Sequence, residues 1–255
     1  MSQGQAPMRE VAQRAFASEF NDATYTFRES DDDRAPVYVL LPTGAKANRV
    51  FVVGTLTETE DVGSEDEYWQ GRIVGPTGTF FVYAGQYQPE AAGMLRDTEP
   101  PAFVAVVGKP RTYETDDGTV IVSLRPEHLT IVDEITRDRW VIETAERTLE
   151  RIDAFDDATN KYGQMARDEY GEMVEMYRQT VIEALESLES AEDASPDTSQ
   201  ETAEASTDAT QDTNTKQTGA PTDGDPTASQ TQETSSDSDD DLEAFDPGEF
   251  SSEDE

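Results

Sequence analysis

The stretch YWQGRIVGPTGTFFVYAGQYQPE, residues 68–90, decides the fold of this chain. Two runs rich in aromatic and β-branched residues, which favour strands, flank the turn sequence Pro76-Thr77-Gly78. A glycine follows the second run, and the start of a helix, predicted over 88–96, comes after it. A strand, a tight turn, a strand and a helix in this order predict the middle of a small closed β-barrel of the OB-fold type.

The sequence on both sides of this stretch supplies the rest of a five-stranded barrel. Hydrophobic patterning predicts strands at 50–56, 68–74, 79–84, 103–108 and 120–124, a helix at 88–96 and a loop at 109–118. Pro126 is expected to break the last strand, because proline cannot donate to a sheet ladder. Ahead of the barrel, the spacing predicts a helix over 8–20 and short strands at 25–27 and 37–41.

These elements place the chain in the α+β class and divide it into four predicted segments. Residues 1–47 form an N-terminal helix with strands, and residues 48–136 form the OB-fold domain. Residues 137–190 form an amphipathic helical segment whose apolar seam packs either within the chain or across subunits. Residues 191–255 form a disordered acidic tail with an acidic-aromatic tip, because so polar a composition does not offset the entropy of ordering.

The charge of the chain is strongly negative and unevenly spread. Its 56 Asp and Glu residues outnumber 19 Lys and Arg, for a formal net charge of −37, and residues 187–255 carry 21 acids against one base. Only 4 of the 19 bases are Lys. Acid-rich surfaces with few lysines are expected where molar salt screens self-repulsion, so the sequence predicts the cytoplasm of an extreme halophile.

The composition argues against several kinds of site. Without cysteine, the chain has neither disulfides nor thiolate metal ligands. With one histidine, His128, and no nucleophile or phosphate-loop motif, we expect no enzyme and no cofactor. No apolar run approaches the ~18–20 residues of a membrane helix, and the first residues lack the pattern of a signal peptide. We therefore expect a cytoplasmic protein with no membrane partner.

Alternation along the two central strands predicts which side chains face outward. Phe80, Val82 and Ala84 are expected inside the barrel, which places Phe81 and Tyr83 outside. On the preceding strand, either the set containing Arg72 or the set containing Trp69 faces out. We favour the Arg72 set, because a buried arginine needs a partner.

Aromatic side chains on an outer barrel face are a platform for stacking bases. The predicted nucleic-acid-binding residues are Tyr68, Arg72, Phe81, Tyr83, Lys109, Arg111 and Tyr113. Two alternatives remain: the rings are covered by other parts of the chain, and the basic residues of 109–118 pair with local acids.

Two further regions are candidates for binding partner proteins. The helical seam supplies Tyr170, Met173, Tyr177, Val181 and Leu188. The segment DSDDDLEAFDPGEFSSEDE, residues 237–255, surrounds Leu242, Phe245 and Phe250 with carboxylates. A solvated tail is the alternative interpretation. Tips of this composition occur on bacterial single-strand-binding proteins, where they recruit partners.

Three stretches resemble a known family. GRIVGPTGTFFVYAGQYQPEAAGML (71–95), VVGKPRTYETDDG (106–118) and SLRPEHLTIVDE (123–134), followed by helices and an acidic tail, are similar to the haloarchaeal replication protein A-associated proteins. The resemblance covers about 50–188 and is most specific in 68–135. It implies an OB-fold subunit that associates with replication protein A in DNA replication, repair and recombination. The zinc-finger ligands of many archaeal replication protein A chains are missing here, so it implies no zinc role.

Three functional hypotheses follow. In the first, the chain is an accessory subunit of a single-stranded DNA-binding complex with replication protein A, a hetero-oligomer in which bases stack on the barrel face. In the second, it is a pure adaptor whose barrel face is covered by a partner and does not contact DNA. In the third, it is an RNA-binding barrel.

Overall fold

The computed structural model describes residues 10–32 and 34–194. The elements in chain order are β1 (Gln13–Arg14), α1 (Ala17–Asn21), β2 (Thr26–Arg28), β3 (Val37–Leu41), β4 (Ala45–Ala47), β5 (Val50–Asp61), β6 (Trp69–Gly75), β7 (Gly78–Ala84), α2 (Pro89–Asp97), β8 (Ala102–Glu114), β9 (Val120–Ile131), α3 (Glu134–Asp153), α4 (Lys161–Tyr170) and α5 (Val174–Ala194). The predicted tail from residue 195 onward lies outside the described residues, as do Leu242, Phe245 and Phe250.

Five strands close into a barrel. Their hydrogen-bonded order is β5-β6-β7-β9-β8, and β8 pairs back to β5. The pairs are antiparallel except for β7 with β9, which are parallel. Helix α2 connects β7 to β8 and inserts Leu95 so closely against β6 that a Cβ at Gly71 would lie 2.7 Å from the Leu95 Cδ2 atom. This topology is the OB-fold, and the predicted α+β class is confirmed.

The last two barrel strands are longer than predicted, and the expected loop at 109–118 is wrong. Strands β8 and β9 continue as a paired hairpin out to Glu114 and Val120. Pro126 does not break β9, because the register shifts between Val107 and Gly108 and leaves Glu127 as an extra residue. This β-bulge accommodates Pro126 within the strand. Residues 109–114 therefore belong to a strand, which fixes the direction of each side chain.

The helix predicted over 8–20 is also wrong in its described part. Gln13 and Arg14 instead pair in parallel with the start of β5, and only Ala17–Asn21 is helical. The side chains of Phe16 and Phe20 are buried, whereas Val11 is 87% exposed. The described part of 8–20 therefore does not form one helix with a continuous apolar face. The short strands predicted at 25–27 and 37–41 are found as β2 and β3, which form a separate three-stranded sheet with β4.

The helical seam packs within the chain rather than across subunits. Tyr177 and Val181 on α5 are buried, and the Tyr177 hydroxyl donates to Asp22 Oδ2 at 2.7 Å. The Tyr170 hydroxyl donates to the Leu40 carbonyl at 2.9 Å, and Leu188 packs on the main core. Tyr177 and Val181 are thus buried within the chain, which contradicts their predicted partner-binding role, whereas Tyr170 and Leu188 are half-buried and their predicted role stays a prediction. Met173 is 42% exposed and stays a candidate.

No helix among the described residues is both long and apolar enough to span a membrane.

Helix α3 packs against β5 and α5, and the Trp140 indole N–H donates to the Phe51 carbonyl at 3.1 Å. The Phe16 and Trp140 rings form a T-shaped pair with centroids 5.8 Å apart. The core therefore runs continuously from α1 through the barrel to α3 and α5.

A buried ion pair joins three distant parts of the chain. Arg151 Nη2 on α3 lies 2.7 Å from Glu19 Oε2 on α1, and Arg151 Nε donates to Thr43 Oγ1 at 2.8 Å. The Thr43 hydroxyl in turn donates to the other Glu19 oxygen. Because Glu19 is 1% exposed, removing its cation leaves an uncompensated buried charge.

We expect Arg151→Met to reduce the free energy of unfolding by about 3–5 kcal/mol, the usual cost of breaking a buried pair from one side. Equilibrium urea denaturation measures this change. Arg147→Met is the matched control, because Arg147 forms an exposed pair with Glu150 on the same helix and should change stability little. Equal effects of the two substitutions would contradict a stabilising role for the buried pair.

Candidate nucleic-acid interface

The two central strands divide their side chains as the alternation predicts. Phe80, Val82 and Ala84 are fully buried in the barrel, whereas Phe81 and Tyr83 lie on its outer face and are partly exposed. On β6, Gly71 and Ile73 are buried and Arg72 is exposed. Trp69 packs against the core, so the outward set is the one that contains Arg72.

Tyr68 and Tyr83 form a stacked pair on this outer face. Their ring centroids are 5.9 Å apart and the planes differ by 18°. Gln70, directly opposite Tyr83 in the sheet, donates its Nε2 hydrogen to the Tyr83 hydroxyl at 2.6 Å. Burial raises the pKa of both phenols, and the hydrogen bond from Gln70 lowers that of Tyr83. Both tyrosines are therefore neutral at physiological pH, with their rings held in fixed positions.

The hairpin of β8 and β9 presents the basic residues on one side. Val122 and Leu124 are buried, so their cross-strand partners Thr112 and Pro110 point the same way. The opposite side carries, in facing pairs, Lys109 with Arg125, Arg111 with Ser123 and Tyr113 with Ile121. Lys109, Arg111 and Tyr113 are among the predicted binding residues, although they were expected in a loop. Arg125 was not predicted. It could have been found from strand alternation, because it follows Leu124, whose side chain is buried.

The hairpin and the barrel face form one surface. Val82 pairs in parallel with Leu124, so the outward neighbours Tyr83 and Arg125 follow side by side. The charges of Arg125 and Arg111 act on the Tyr68 phenol and lower its pKa against the larger effect of burial. We call this surface the aromatic-basic face; it comprises Tyr68, Gln70, Arg72, Phe81, Tyr83, Lys109, Arg111, Tyr113 and Arg125.

Several cations of this face have no carboxylate partner, which is unusual in so acidic a chain. Elsewhere, basic side chains such as Arg49, Arg96 and Arg178 form ion pairs. Within 10–32 and 34–194, Arg72, Lys109 and Arg125 form none. The nearby turn does not supply one, since Asp117 accepts hydrogen bonds from Thr115 and Thr119 of that turn. These three side chains therefore form no close ion pair with a described carboxylate, although Glu58 on β5 lies opposite Arg72 in the sheet.

The helices pack on other parts of the barrel. Helix α1 meets β7 at its start, where Asn21 Nδ2 donates to the Thr79 carbonyl at 3.0 Å. Helix α3 packs against β1, β5 and β8. Phe81 and Tyr83 remain partly exposed, and Arg72 and Arg111 are exposed. Among the described elements, the helices therefore pack beside the aromatic-basic face rather than over it.

The described residues contain no group of three or more His, Asp or Glu side chains arranged to hold a metal ion. His128, the single histidine, is exposed on β9 opposite Val107. Carboxylates on the barrel face alternate along β5, where Glu58 and Glu60 lie opposite Arg72 and Gln70. The chemistry that this surface offers is stacking and cation contact.

No protein-family model and no curated protein matches this chain. Among solved structures, an OBody, NL8, bound to hen egg-white lysozyme is 13% identical and matches 34% of this chain and 94% of its own, with a TM-score of 0.29. Rim1, a mitochondrial single-stranded DNA-binding protein of S. cerevisiae, is 21% identical over 34% of this chain and 94% of its own (TM-score 0.27). A crystal structure of yeast Stn1 and Ten1 is 11% identical and matches 45% of this chain and 58% of its own, with a TM-score of 0.36. These similarities carry no functional argument, and the fold assignment rests on the strand topology.

We expect Gln70→Leu to raise the pKa of Tyr83 further, because the variant loses the hydrogen bond that stabilises the phenolate. A titration of the Tyr83 ¹³Cζ chemical shift by NMR measures the change. Gln164→Leu is the control, since Gln164 donates to the Ala158 carbonyl beside α4. A Tyr83 pKa that stays constant or falls in Gln70→Leu would contradict the positioning role of Gln70.

Proposed function

We propose that this chain is an accessory subunit of a single-stranded DNA-binding complex and stacks bases on the aromatic-basic face. The observation that carries the proposal is the combination of four partly exposed aromatic rings with cations that lack carboxylate partners. The rings are those of Tyr68, Phe81, Tyr83 and Tyr113. On a chain of net charge −37, such a surface suits a polyanion with flat bases. The role is binding rather than catalysis.

Stacking supplies the affinity in this mechanism. Each base that stacks on an aromatic side chain contributes roughly 1–3 kcal/mol, and the contribution is tolerant of sequence because every base has a π-face. Phosphate contacts weaken steeply as salt rises, whereas stacking does not depend on counterion release. The acidic composition with few lysines suits a halophilic cytoplasm, where a binder relies on rings and a few arginines.

The proposed partner is replication protein A, on the basis of the sequence resemblance at 68–135. The complex would act in DNA replication, repair and recombination. Three exposed isoleucines favour a protein contact: Ile131 at the end of β9, and Ile135 and Ile142 on α3, which are 55%, 77% and 47% exposed. Ile135 and Ile142 are seven residues apart and share one helix face.

The same isoleucines also favour the second candidate, a pure adaptor of replication protein A. In that arrangement a partner protein covers the aromatic-basic face, and the chain makes no contact with DNA. The two candidates differ in whether the isolated chain binds an oligonucleotide.

We expect the chain to bind oligo-dT saturably in ~2–3 M KCl, where screening removes most phosphate attraction. Phe81→Ala and Tyr83→Ala should each weaken binding about 5- to 150-fold, the equivalent of one lost stacking contact of roughly 1–3 kcal/mol. Fluorescence anisotropy of a labelled oligonucleotide measures the affinity, with circular dichroism confirming the fold. Tyr25→Ala is the control, since Tyr25 lies next to β2, outside the barrel, and is 37% exposed.

No binding by the folded, monodisperse wild-type chain would overturn the stacking mechanism and favour the adaptor. Equal losses in Tyr25→Ala and Tyr83→Ala would show that the affinity does not reside on the aromatic-basic face.

We expect Arg111→Gln and Arg125→Gln to act mainly at low salt. Each lost phosphate contact should flatten the dependence of log K on log salt by about 0.7, the value for single strands. Titrations with oligo-dT between low and molar salt give the slope. Arg139→Gln on α3 is the control, because this arginine is exposed but lies off the face. A uniform loss at every salt concentration would contradict phosphate contacts by these arginines.

A further inference from the structure

The aromatic-basic face has opposite charges on its two sides. On the β5 side, Glu60 lies opposite Gln70 in the sheet, and Gln70 lies opposite Tyr83. On the other side, Arg125 follows beside Tyr83 and pairs across the hairpin with Lys109. A row of side chains therefore crosses the sheet in the order carboxylate, amide, ring, cation, cation.

We propose that Glu60 recognises the base that stacks on Tyr83 and favours cytosine over thymine. This preference rests on the proposed function, because it concerns the orientation of a strand that is bound at the face. Stacking by itself is tolerant of sequence, so Glu60 adds a base preference that the rings do not provide.

The charges on the two sides orient the nucleotide. The phosphate of a nucleotide that stacks on Tyr83 is attracted by Arg125 and Lys109 and repelled by Glu60. In a pyrimidine nucleotide the sugar is attached at N1, and the 4-position lies across the ring from the sugar and phosphate. With the phosphate on the side of the cations, the 4-position therefore points towards β5 and Glu60.

The width of the row suits a direct contact between Glu60 and the base. Neighbouring strands lie about 4.8 Å apart, so two strand spacings place the backbone of Glu60 roughly 10 Å from that of Tyr83. A glutamate side chain that leans over β6 and a base that extends beyond the Tyr83 ring together bridge this distance. Gln70, which lies between them, directs its amide to the Tyr83 hydroxyl at 2.6 Å.

Cytosine and thymine differ at the position that faces Glu60. Cytosine has an amino group at its 4-position, which donates hydrogen bonds, and a carboxylate accepts them. Thymine has a carbonyl oxygen there, which meets the carboxylate as a second acceptor and is repelled. Among residues 10–32 and 34–194, no cation forms an ion pair with Glu60. The Glu60 carboxylate is therefore not neutralised by a close partner in the described chain.

The neighbouring row of the face lacks this arrangement. Glu58 lies opposite Arg72, and Arg72 lies opposite Phe81. The Arg72 guanidinium thus stands between the carboxylate and the ring, and it is the nearer group to a base that stacks on Phe81. Because a guanidinium only donates hydrogen bonds, this row does not select an amino group. The preference for cytosine is therefore assigned to Glu60.

The test compares oligo-dC with oligo-dT of the same length, at slightly alkaline pH and in the molar KCl used above. Fluorescence anisotropy with the full chain should give about 2- to 12-fold tighter binding of oligo-dC, the effect of one net hydrogen bond. An oligonucleotide whose cytosines lack the 4-amino group should bind no more tightly than oligo-dT.

Glu60→Gln should bring the ratio of the two affinities close to one, because an amide donates to thymine as well as it accepts from cytosine. Glu146→Gln is the matched control. It removes the same charge from an exposed glutamate on α3, off the face, and should leave the ratio unchanged.

Equal binding of oligo-dC and oligo-dT, or a ratio that Glu60→Gln leaves unchanged, would overturn the base preference and leave the proposed function standing. A ratio that falls alike in Glu60→Gln and Glu146→Gln would reveal a general effect of charge and would also overturn recognition by Glu60. Binding of neither oligonucleotide by the folded chain would overturn the proposed function and the preference with it.

Discussion

Closure of the barrel through one long, bent strand is the constraint on which the rest of the structure depends. The first half of β5 pairs with β8 and its second half pairs with β6, with Thr55 and Leu56 shared between the two ladders. The bend is possible because Gly54 has no side chain: a Cβ there would lie 2.7 Å from the Val74 carbonyl oxygen. A bulge at Thr57 then turns the strand outward. With the barrel closed, β7 and β9 become neighbours, and the rings and cations of the aromatic-basic face meet.

Much of the barrel could be predicted because local patterns and the global fold agree in it. Alternation at 79–84 and the turn at 76–78 specify β7 and its outward rings, and the helix predicted over 88–96 is found as α2. The extension of β8 and β9 could not be predicted, because Pro110 and Pro126 are strand breakers by local rules. The structure accommodates Pro126 at a bulge whose existence depends on the partner strand. Likewise, Gln13 and Arg14 are a strand only because the edge of β5 is beside them.

The candidate site shows the same division between local and tertiary information. Phe81, Tyr83 and Arg72 follow from strand period, so sequence alone identifies them. Arg125 does not, since its place beside Tyr83 arises from a parallel pairing between strands about forty residues apart. The seam on α5 was correctly identified as apolar, but the sequence left its partner open. Tyr177 and Val181 are buried beside α1 and α3. The hydrophobic periodicity predicts that one face of the helix is buried, and only the tertiary structure shows which elements bury it.

The isolation of the cations within an acidic chain has a kinetic consequence for any polyanionic ligand. At separations beyond the Debye length, about 10 Å in 0.1 M salt, an approaching strand experiences the net charge of −37 and is repelled. In contact, a strand bound as proposed would meet Arg72, Lys109 and Arg125 instead. Added salt would therefore raise both the association rate constant and the dissociation rate constant of such a complex. The dissociation constant reports only the ratio of the two. The proposed complex would therefore exchange its ligand faster at high salt than at low salt.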